Sequence, residues 1–146
     1  MRELLLDGLE EGYSRKAWHG PTLRGALRGV TMEQALWRPA PGRHNIWELA
    51  LHCAYWKYAV RRRLNRERRG SFARPGSNWL PHPPPTPQAW RADLKLLAEE
   101  HRALRETIAA QPAARLERAV RLIRGIAYHD VYHAGQIQLL KRLAED

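Results

Sequence analysis

The chain has 146 residues, 44% of them hydrophobic, which is enough for one domain with a buried core and too few for two. Its only cysteine, Cys53, excludes an intramolecular disulfide and favours a reducing compartment. The N-terminus lacks the apolar run of a signal peptide, and no stretch approaches the roughly 20 apolar residues that cross a bilayer. We therefore expect a single domain over residues 1–146, located in the cytoplasm, without membrane contact.

The first predicted helix runs from Glu3 to about Lys16, where leucines recur at helical spacing. Residues 19–22 interrupt it, and Leu23 to Leu27 can resume one or two helical turns. Glycine and proline residues between positions 29 and 42 then predict an irregular connection.

The second predicted helix opens at Asn45, a good N-cap, and Glu48 three residues later completes a capping box. This gives Glu48 a structural role rather than that of a catalytic base. His52 lies directly beside the apolar stripe of this helix, whereas Cys53 is interpreted as a small core residue. The stripe is formed by Ile46, Leu49, Cys53, Trp56, Val60 and Leu64.

Basic residues cluster between positions 61 and 69, and the whole chain carries a formal net charge of +10. Such a run can follow nucleic-acid phosphates. It also falls where the second helix should end, and cations there complement the negative end of the helix dipole. Without a stacking platform or a helix-turn-helix pattern, we predict no sequence-specific nucleic-acid site.

Residues 67–86 are rich in proline and glycine, so no regular element fits them. An antiparallel hairpin needs a much shorter link of about 2–8 residues. We therefore predict a crossover that leaves the second and third helices parallel.

The third predicted helix has Thr86 as its N-cap and Pro87 in its first turn. His101 lies on its apolar stripe. A short link at Pro112 predicts an antiparallel fourth helix, which begins between Ala114 and Ala119 and runs to about Ala144. The chain is thus predicted to be all-α, a four-helix bundle with a long crossover between helices 2 and 3.

The fourth helix carries two histidines four residues apart, His129 and His133, which share one face of a helix. Gln136 follows one turn later. Polar groups inside an apolar stripe must be hydrogen-bonded or bind a ligand. The inward stripe is predicted to contain Ala119, Leu122, Ile126, His129, His133, Gln136, Leu140 and Leu143.

His52, His129 and His133 together offer three imidazoles from two helices. Three histidines leave a tetrahedral ion one open position, which is typical of catalytic zinc sites. Imidazole also suits nickel, copper and iron, so the ligand type alone does not choose the metal. His101, also inward, competes for a ligand role, and hydrogen-bonded core histidines remain the alternative without a metal.

Three stretches resemble the DinB-like (YfiT-like) metalloenzymes: residues 129–137, residues 18–21 followed by 29–31, and residues 42–52. The resemblance covers most of the chain. It implies a single DinB-like four-helix bundle domain, often dimeric, with a metal site at His52, His129 and His133. It also places His19 and His44 near that site.

Members of this family include thiol-dependent transferases and isomerases, so the resemblance implies a small-molecule substrate and a low-molecular-weight thiol, with zinc or nickel as the expected ion. His19, His44, Gln136 and His101 are the candidate polar groups of the pocket. Two alternatives stay open: a metal-dependent hydrolase, and a non-catalytic metal-binding protein related to stress. A homodimer is a further expectation.

Overall fold

The computed structural model describes residues 1–145 and is all-helical, as predicted. Over that range it contains no β-strand, only a single bridge between Ala17 and Gly20. None of its helices is long and apolar enough to cross a membrane. The six helices are α1 (Arg2–Tyr13), α2 (Leu23–Leu27), α3 (Met32–Leu36), α4 (Ile46–Asn65), α5 (Pro87–Ala110) and α6 (Ala113–Leu143).

The N-terminal third differs from the prediction in two details. Helix α1 ends at Tyr13 rather than near Lys16. The connection predicted to be irregular contains a helix, α3, which begins with a capping box: Thr31 accepts from the backbone of Gln34, and the Gln34 side chain accepts from the backbone of Thr31. Thr31 and Gln34 were the sequence signal for this helix. Helix α2 has the predicted bounds.

Helix α4 begins with the predicted capping box of Asn45 and Glu48. Glu48 also forms an ion pair with Arg38 and contacts His44 Nδ1 at 3.1 Å. Burial alone would raise the pKa of Glu48, but the bonds with Arg38, His44 and Asn45 hold it at about 2. The carboxylate is therefore engaged in structure, as the sequence indicated.

The segment that joins α4 to α5, residues 66–86, has no helix or strand and is called the crossover below. It is fastened to the helices by polar bonds. Arg74 pairs with buried Asp93 of α5 at 2.6 Å, and Asp93 also accepts a bond of 2.8 Å from Trp47 Nε1. Ser71 donates its backbone N–H to the Tyr58 hydroxyl.

Residues further along α4 contact residues further along α5, so the two helices run parallel, as predicted. Helix α6 returns antiparallel to both after the turn at Pro112. It contacts α1, α2 and α4, while α1 also contacts α5. The side-chain hydrogen bonds that set the parallel register are Trp47–Asp93, Arg61–Glu100 and Asn65–Gln111.

Helix α6 begins at Ala113, just before the predicted interval, and its buried face is rotated relative to the predicted stripe. The fully buried positions include Ile123, Asp130, Ala134 and Ile137, whereas Leu143 is exposed. The rotation places His129, which is only partly buried, at the edge of the buried face.

A polar layer divides the core into two apolar clusters. One cluster surrounds Trp47 and Ile137, and the other surrounds Leu9 and Ile123. The segments of α4, α5 and α6 that lie between the clusters carry the polar side chains. The buried members of this layer are His52, Lys57, His101, Asp130 and His133.

Candidate metal centre

Three imidazoles from two helices meet at one point of the polar layer. His52 of α4 and His133 of α6 are 5% and 4% exposed, and His129 lies between them. The Nε2 atom of His129 is 3.1 Å from Nε2 of His52 and 3.1 Å from Nε2 of His133. Helical spacing explains the second contact, because residues four apart share a face. Antiparallel packing of α4 on α6 places His52 at the same point.

Hydrogen bonds from Nδ1, the ring nitrogen opposite Nε2, determine which nitrogen is protonated in two of these imidazoles. Nδ1–H of His52 donates to the backbone carbonyl of Asn78 at 2.9 Å. Nδ1–H of His133 donates to the side-chain oxygen of Gln136 at 2.7 Å. Because each proton is on Nδ1, the Nε2 atoms of His52 and His133 carry lone pairs. Both lone pairs are directed at His129.

The convergence of these nitrogens fits a bound cation. A proton on His129 Nε2 can be donated to only one neighbour, so one contact would remain a repulsion between lone pairs. Nδ1 of His129 is buried and has no hydrogen-bond partner within residues 1–145. The 3.1 Å separations are close to the roughly 3.3 Å expected between two nitrogens that ligate one tetrahedral zinc ion.

Burial keeps the three imidazoles neutral, which is the form that ligates a metal. Burial, together with neighbouring histidines, lowers the pKa of His52 to about 4 and that of His129 to about 3, although the bond with Asn78 opposes the shift at His52. Burial also lowers the pKa of His133, although the bond with Gln136 opposes the shift.

Two residues of the crossover complete the surroundings of His52, and no sequence pattern indicated either of them. The Trp79 ring stacks on His52 with a centroid distance of 3.8 Å. Asn78, whose carbonyl accepts from His52, has a positive φ of 61°, a conformation that asparagine tolerates better than most residues. Its side chain accepts a bond of 2.9 Å from Trp56 Nε1.

A buried ion pair lies beside the histidines: Lys57 of α4 and Asp130 of α6 contact each other with no solvent exposure. The sequence contained a signal for it. Lys57 falls four residues after Cys53 on one apolar stripe, and Asp130 falls four residues after Ile126 on the other. Charged residues at core positions of two helices indicate a buried pair.

Cys53, His129 and Asp130 also lie close together, but their chemistry suits a metal poorly. Asp130 is engaged by Lys57. Burial raises the pKa of the Cys53 thiol well above its usual range, with Asp130 raising it further. Cys53 therefore stays protonated in the core and is a weak ligand.

The four candidate pocket residues separate into two groups. Gln136 contacts His133, and His44 stacks on the outer face of Trp79 at 3.6 Å. Both line a cavity of about 430 Å³ whose lining also includes Trp79 but none of the three clustered histidines. His19 instead lines an outer groove between α1 and α6 with Leu4 and Tyr128.

His101 is buried, as its stripe position predicted, but it is not among the clustered histidines. Its Nε2 bonds Glu10 at 3.1 Å, and its ring stacks on Tyr13 at 3.7 Å. Burial, assisted by Lys57 and Arg105, lowers the pKa of His101 to about 4, although Glu10 opposes the shift. A fourth protein ligand from His101 is therefore not supported.

A small cleft of about 170 Å³ has both His129 and Trp56 in its lining.

In comparisons with known proteins, a family model described as the DinB superfamily matches residues 17–137. No curated protein and no solved structure matches the chain.

Proposed function

The chain belongs to the DinB superfamily, and on that premise we propose that it is an enzyme that uses a divalent metal ion, held by His52, His129 and His133, to transfer a small thiol to an electrophilic small molecule. The observation that carries the proposal is the convergence of three neutral ring nitrogens within 3.1 Å contacts. We further propose that α1, α4, α5 and α6 form the four-helix bundle typical of this assignment, with residues 66–86 as its crossover.

Three protein ligands, rather than four, favour catalysis over a purely structural ion, because structural sites are closed. His101, the sequence candidate for a fourth ligand, is occupied by Glu10. Cys53 and Asp130 are the other donors near His129, and both are engaged or protonated in the core. We therefore propose that one coordination position faces substrate.

When bound, a divalent ion with neutral ligands lowers the pKa of a coordinating thiol or water and stabilises negative charge on a substrate oxygen. The residues around it provide order. Asn78 and Gln136 accept hydrogen bonds from Nδ1 of His52 and of His133 and so hold the two rings in place. Hydrogen-bond partners of this kind orient the histidine ligands in metal sites. Trp79 covers His52 and limits the access of water to it.

Within residues 1–145, the chain offers no nucleophile or free base of its own at this position. The Cys53 thiol is fully buried and its pKa is raised, so it does not supply a thiolate. Asp130 pairs with Lys57, and Glu48 is bound by Arg38 and Asn45. An external thiol activated by the ion is consistent with this absence.

We propose that the electrophile lies in the cavity of about 430 Å³ lined by Trp79 and Gln136, which contact His52 and His133. Its lining combines apolar side chains, such as Leu49 and Leu140, with the polar groups of His44, Arg43 and Gln136. This combination is typical of small-molecule sites, in which a few polar groups orient a largely apolar ligand.

The test is transfer of a panel of low-molecular-weight thiols to an epoxide and to an activated aryl chloride. We expect activity in the metal-loaded protein and in His82→Ala, whose side chain bonds the Pro83 carbonyl and stacks on Trp47 but does not belong to the histidine cluster. We expect at least a hundredfold loss in His129→Ala. Equal rates in all three proteins for every thiol would refute the proposal.

Hydrolysis is the alternative use of the same site, because a metal can activate water as well as a thiol. Ester and amide substrates without added thiol distinguish the two. Metal binding with no activity in either panel would leave the non-catalytic, stress-related alternative. Zinc and nickel are the proposed ions, since both accept imidazole ligands.

Two sequence expectations accompany the proposal. A homodimer would cover exposed apolar side chains on α1 and α6, including Leu4 and Tyr128, which are 76% and 59% exposed.

A cytoplasmic location would suit a chain whose only cysteine is a free thiol. Sedimentation analysis and cell fractionation test the two expectations; a monomer at high concentration would refute the first, and recovery outside the cytoplasm the second.

A further inference from the structure

A cationic cleft of about 550 Å³ lies between α4 and the crossover, separate from the cavity proposed for the electrophile. Four arginines line it: Arg62 and Arg63 from the last turn of α4, and Arg69 and Arg74 from the crossover. Its lining contains no acidic side chain within the part of the chain that the structure describes. We call it the arginine cleft.

Much of the positive charge in the arginine cleft is not neutralised by the protein. Arg74 is offset by Asp93, which it contacts at 2.6 Å, but no ion pair forms at Arg62, Arg63 or Arg69 within residues 1–145. Three guanidinium groups held around one concavity repel each other, and an anion between them would relieve that repulsion.

Capping of α4 accounts for at most two of these four arginines. The backbone N–H groups of Arg66 and Glu67 already bond the carbonyls of the last turn, and the Arg115 side chain bonds the carbonyl of Leu64. Arg69 and Arg74 lie beyond the helix. The dipole explanation given by the sequence therefore covers Arg62 and Arg63 at most.

The remaining walls of the cleft carry aromatic rings. Tyr55, Trp56 and Phe72 line it and are only half-buried, so each leaves part of its surface toward solvent. The guanidinium of Arg63 lies 5.8 Å from the Trp56 ring centre. Rings beside guanidinium groups suit a planar ligand that carries negative charge, because the ring is stacked while the charge is paired.

We propose that the arginine cleft binds a small molecule in which a planar ring carries phosphate or carboxylate groups with a total charge of at least −2. Guanidinium groups bind both oxyanions through paired N–H bonds. The proposal does not depend on the metal centre, although the two sites adjoin at Asn78, which lines the cleft and holds His52.

The shape of the cleft favours a small molecule over a nucleic-acid strand. Its volume of about 550 Å³ lies within the roughly 300–1,000 Å³ typical of small-molecule pockets. The crossover closes one side, and it is fixed there by Ser71 on Tyr58 and by Arg74 on Asp93. A nucleic-acid backbone would need a cationic track that continues past this wall.

The test uses chelator-treated protein at physiological salt, so that no metal competes for the anion. The probes are phenyl phosphate and isophthalate, with inorganic phosphate and benzyl alcohol as half-ligands. Calorimetry measures binding, and the emission of Trp56, checked with Trp56→Phe, reports its location. We expect at least one ring-bearing probe to bind with a Kd below about 1 mM, and each half-ligand at least tenfold more weakly.

Arg63→Gln/Arg69→Gln should weaken that binding at least tenfold. The matched control is Arg91→Gln/Arg102→Gln, which removes the same charge from exposed positions of α5. Circular dichroism and thermal unfolding confirm that both variants fold. An equal loss in both variants, or no binding of either ring-bearing probe below about 10 mM, would overturn the proposal. Tight binding of random duplex DNA without binding of these probes would instead assign the arginines to nucleic acid and would also overturn it.

Discussion

Removing one partner of the Lys57–Asp130 pair should destabilise the protein severely. Both side chains are fully buried, so neither charge can be transferred to water when its partner is lost. In Lys57→Met, the Asp130 carboxylate loses the only side chain that bonds it within residues 1–145, since its Oδ1 atom is already unpaired. In Asp130→Leu, the ammonium of Lys57 keeps only the Tyr13 ring, 5.0 Å away, among its contacts within residues 1–145.

The expected cost is about 3–5 kcal/mol for each single substitution, the range for one uncompensated buried charge. For a chain of this size, 1 kcal/mol corresponds to roughly 2–4 °C in Tm, so each variant should melt on the order of 10 °C lower. The double variant Lys57→Met/Asp130→Leu removes both charges and places apolar side chains of similar length at both positions. It should recover most of the loss, because apolar replacements of buried pairs are often neutral or stabilising.

The assay is urea unfolding of the four metal-free proteins at pH 7, followed by circular dichroism. A double-mutant cycle then gives the coupling between the two positions. We expect a coupling of at least about 3 kcal/mol. Single variants that lose less than about 1 kcal/mol, or a double variant as unstable as the sum of the singles, would refute the assignment of a charged buried pair.

Two further predictions concern the helices. Gly12→Ala should lower the free energy of unfolding by about 1–3 kcal/mol, because the added Cβ would lie 2.7 Å from the Ala127 carbonyl oxygen. Gly8→Ala, which has open space around it, should stabilise α1 by up to about 1 kcal/mol. Urea unfolding of both variants tests this, and equal effects would contradict it. Since the pKa of His101 is lowered to about 4, the unfolded chain binds more protons between pH 6.5 and 4, and stability should fall as pH falls through that window. His101→Gln should reduce this slope by about 1.4 kcal/mol per pH unit, and an unchanged slope would contradict the buried neutral state.

The helices could be predicted because local signals determine them. Asn45 with Glu48, and Thr86 with Pro87, fix two helix starts through their own backbone bonds. Proline content predicted the crossover and, with it, the parallel direction of α4 and α5. The capping box of Thr31 and Gln34 is the same kind of signal, and it marks the start of α3 within the connection that was predicted to be irregular.

The cluster of three histidines was only partly predictable, for a reason of packing. His129 and His133 are related by one helical turn, and the position of His52 on its helix indicated the third imidazole. The contacts of Asn78 and Trp79 depend on how the crossover folds over α4, which no periodicity encodes. His101 has the same stripe pattern as a ligand, but tertiary packing directs it to Glu10.

The central claim is that three histidines hold one divalent transition ion. The most direct measurement is the metal content of protein purified without an affinity tag, by plasma mass spectrometry, for wild type, His133→Ala and His82→Ala. We predict about one ion per chain in wild type and in His82→Ala, and less than about a tenth of that in His133→Ala, because two remaining imidazoles bind a metal far more weakly than three. Full occupancy in His133→Ala, or a wild-type protein that takes up no transition metal when it is supplied, would contradict the account.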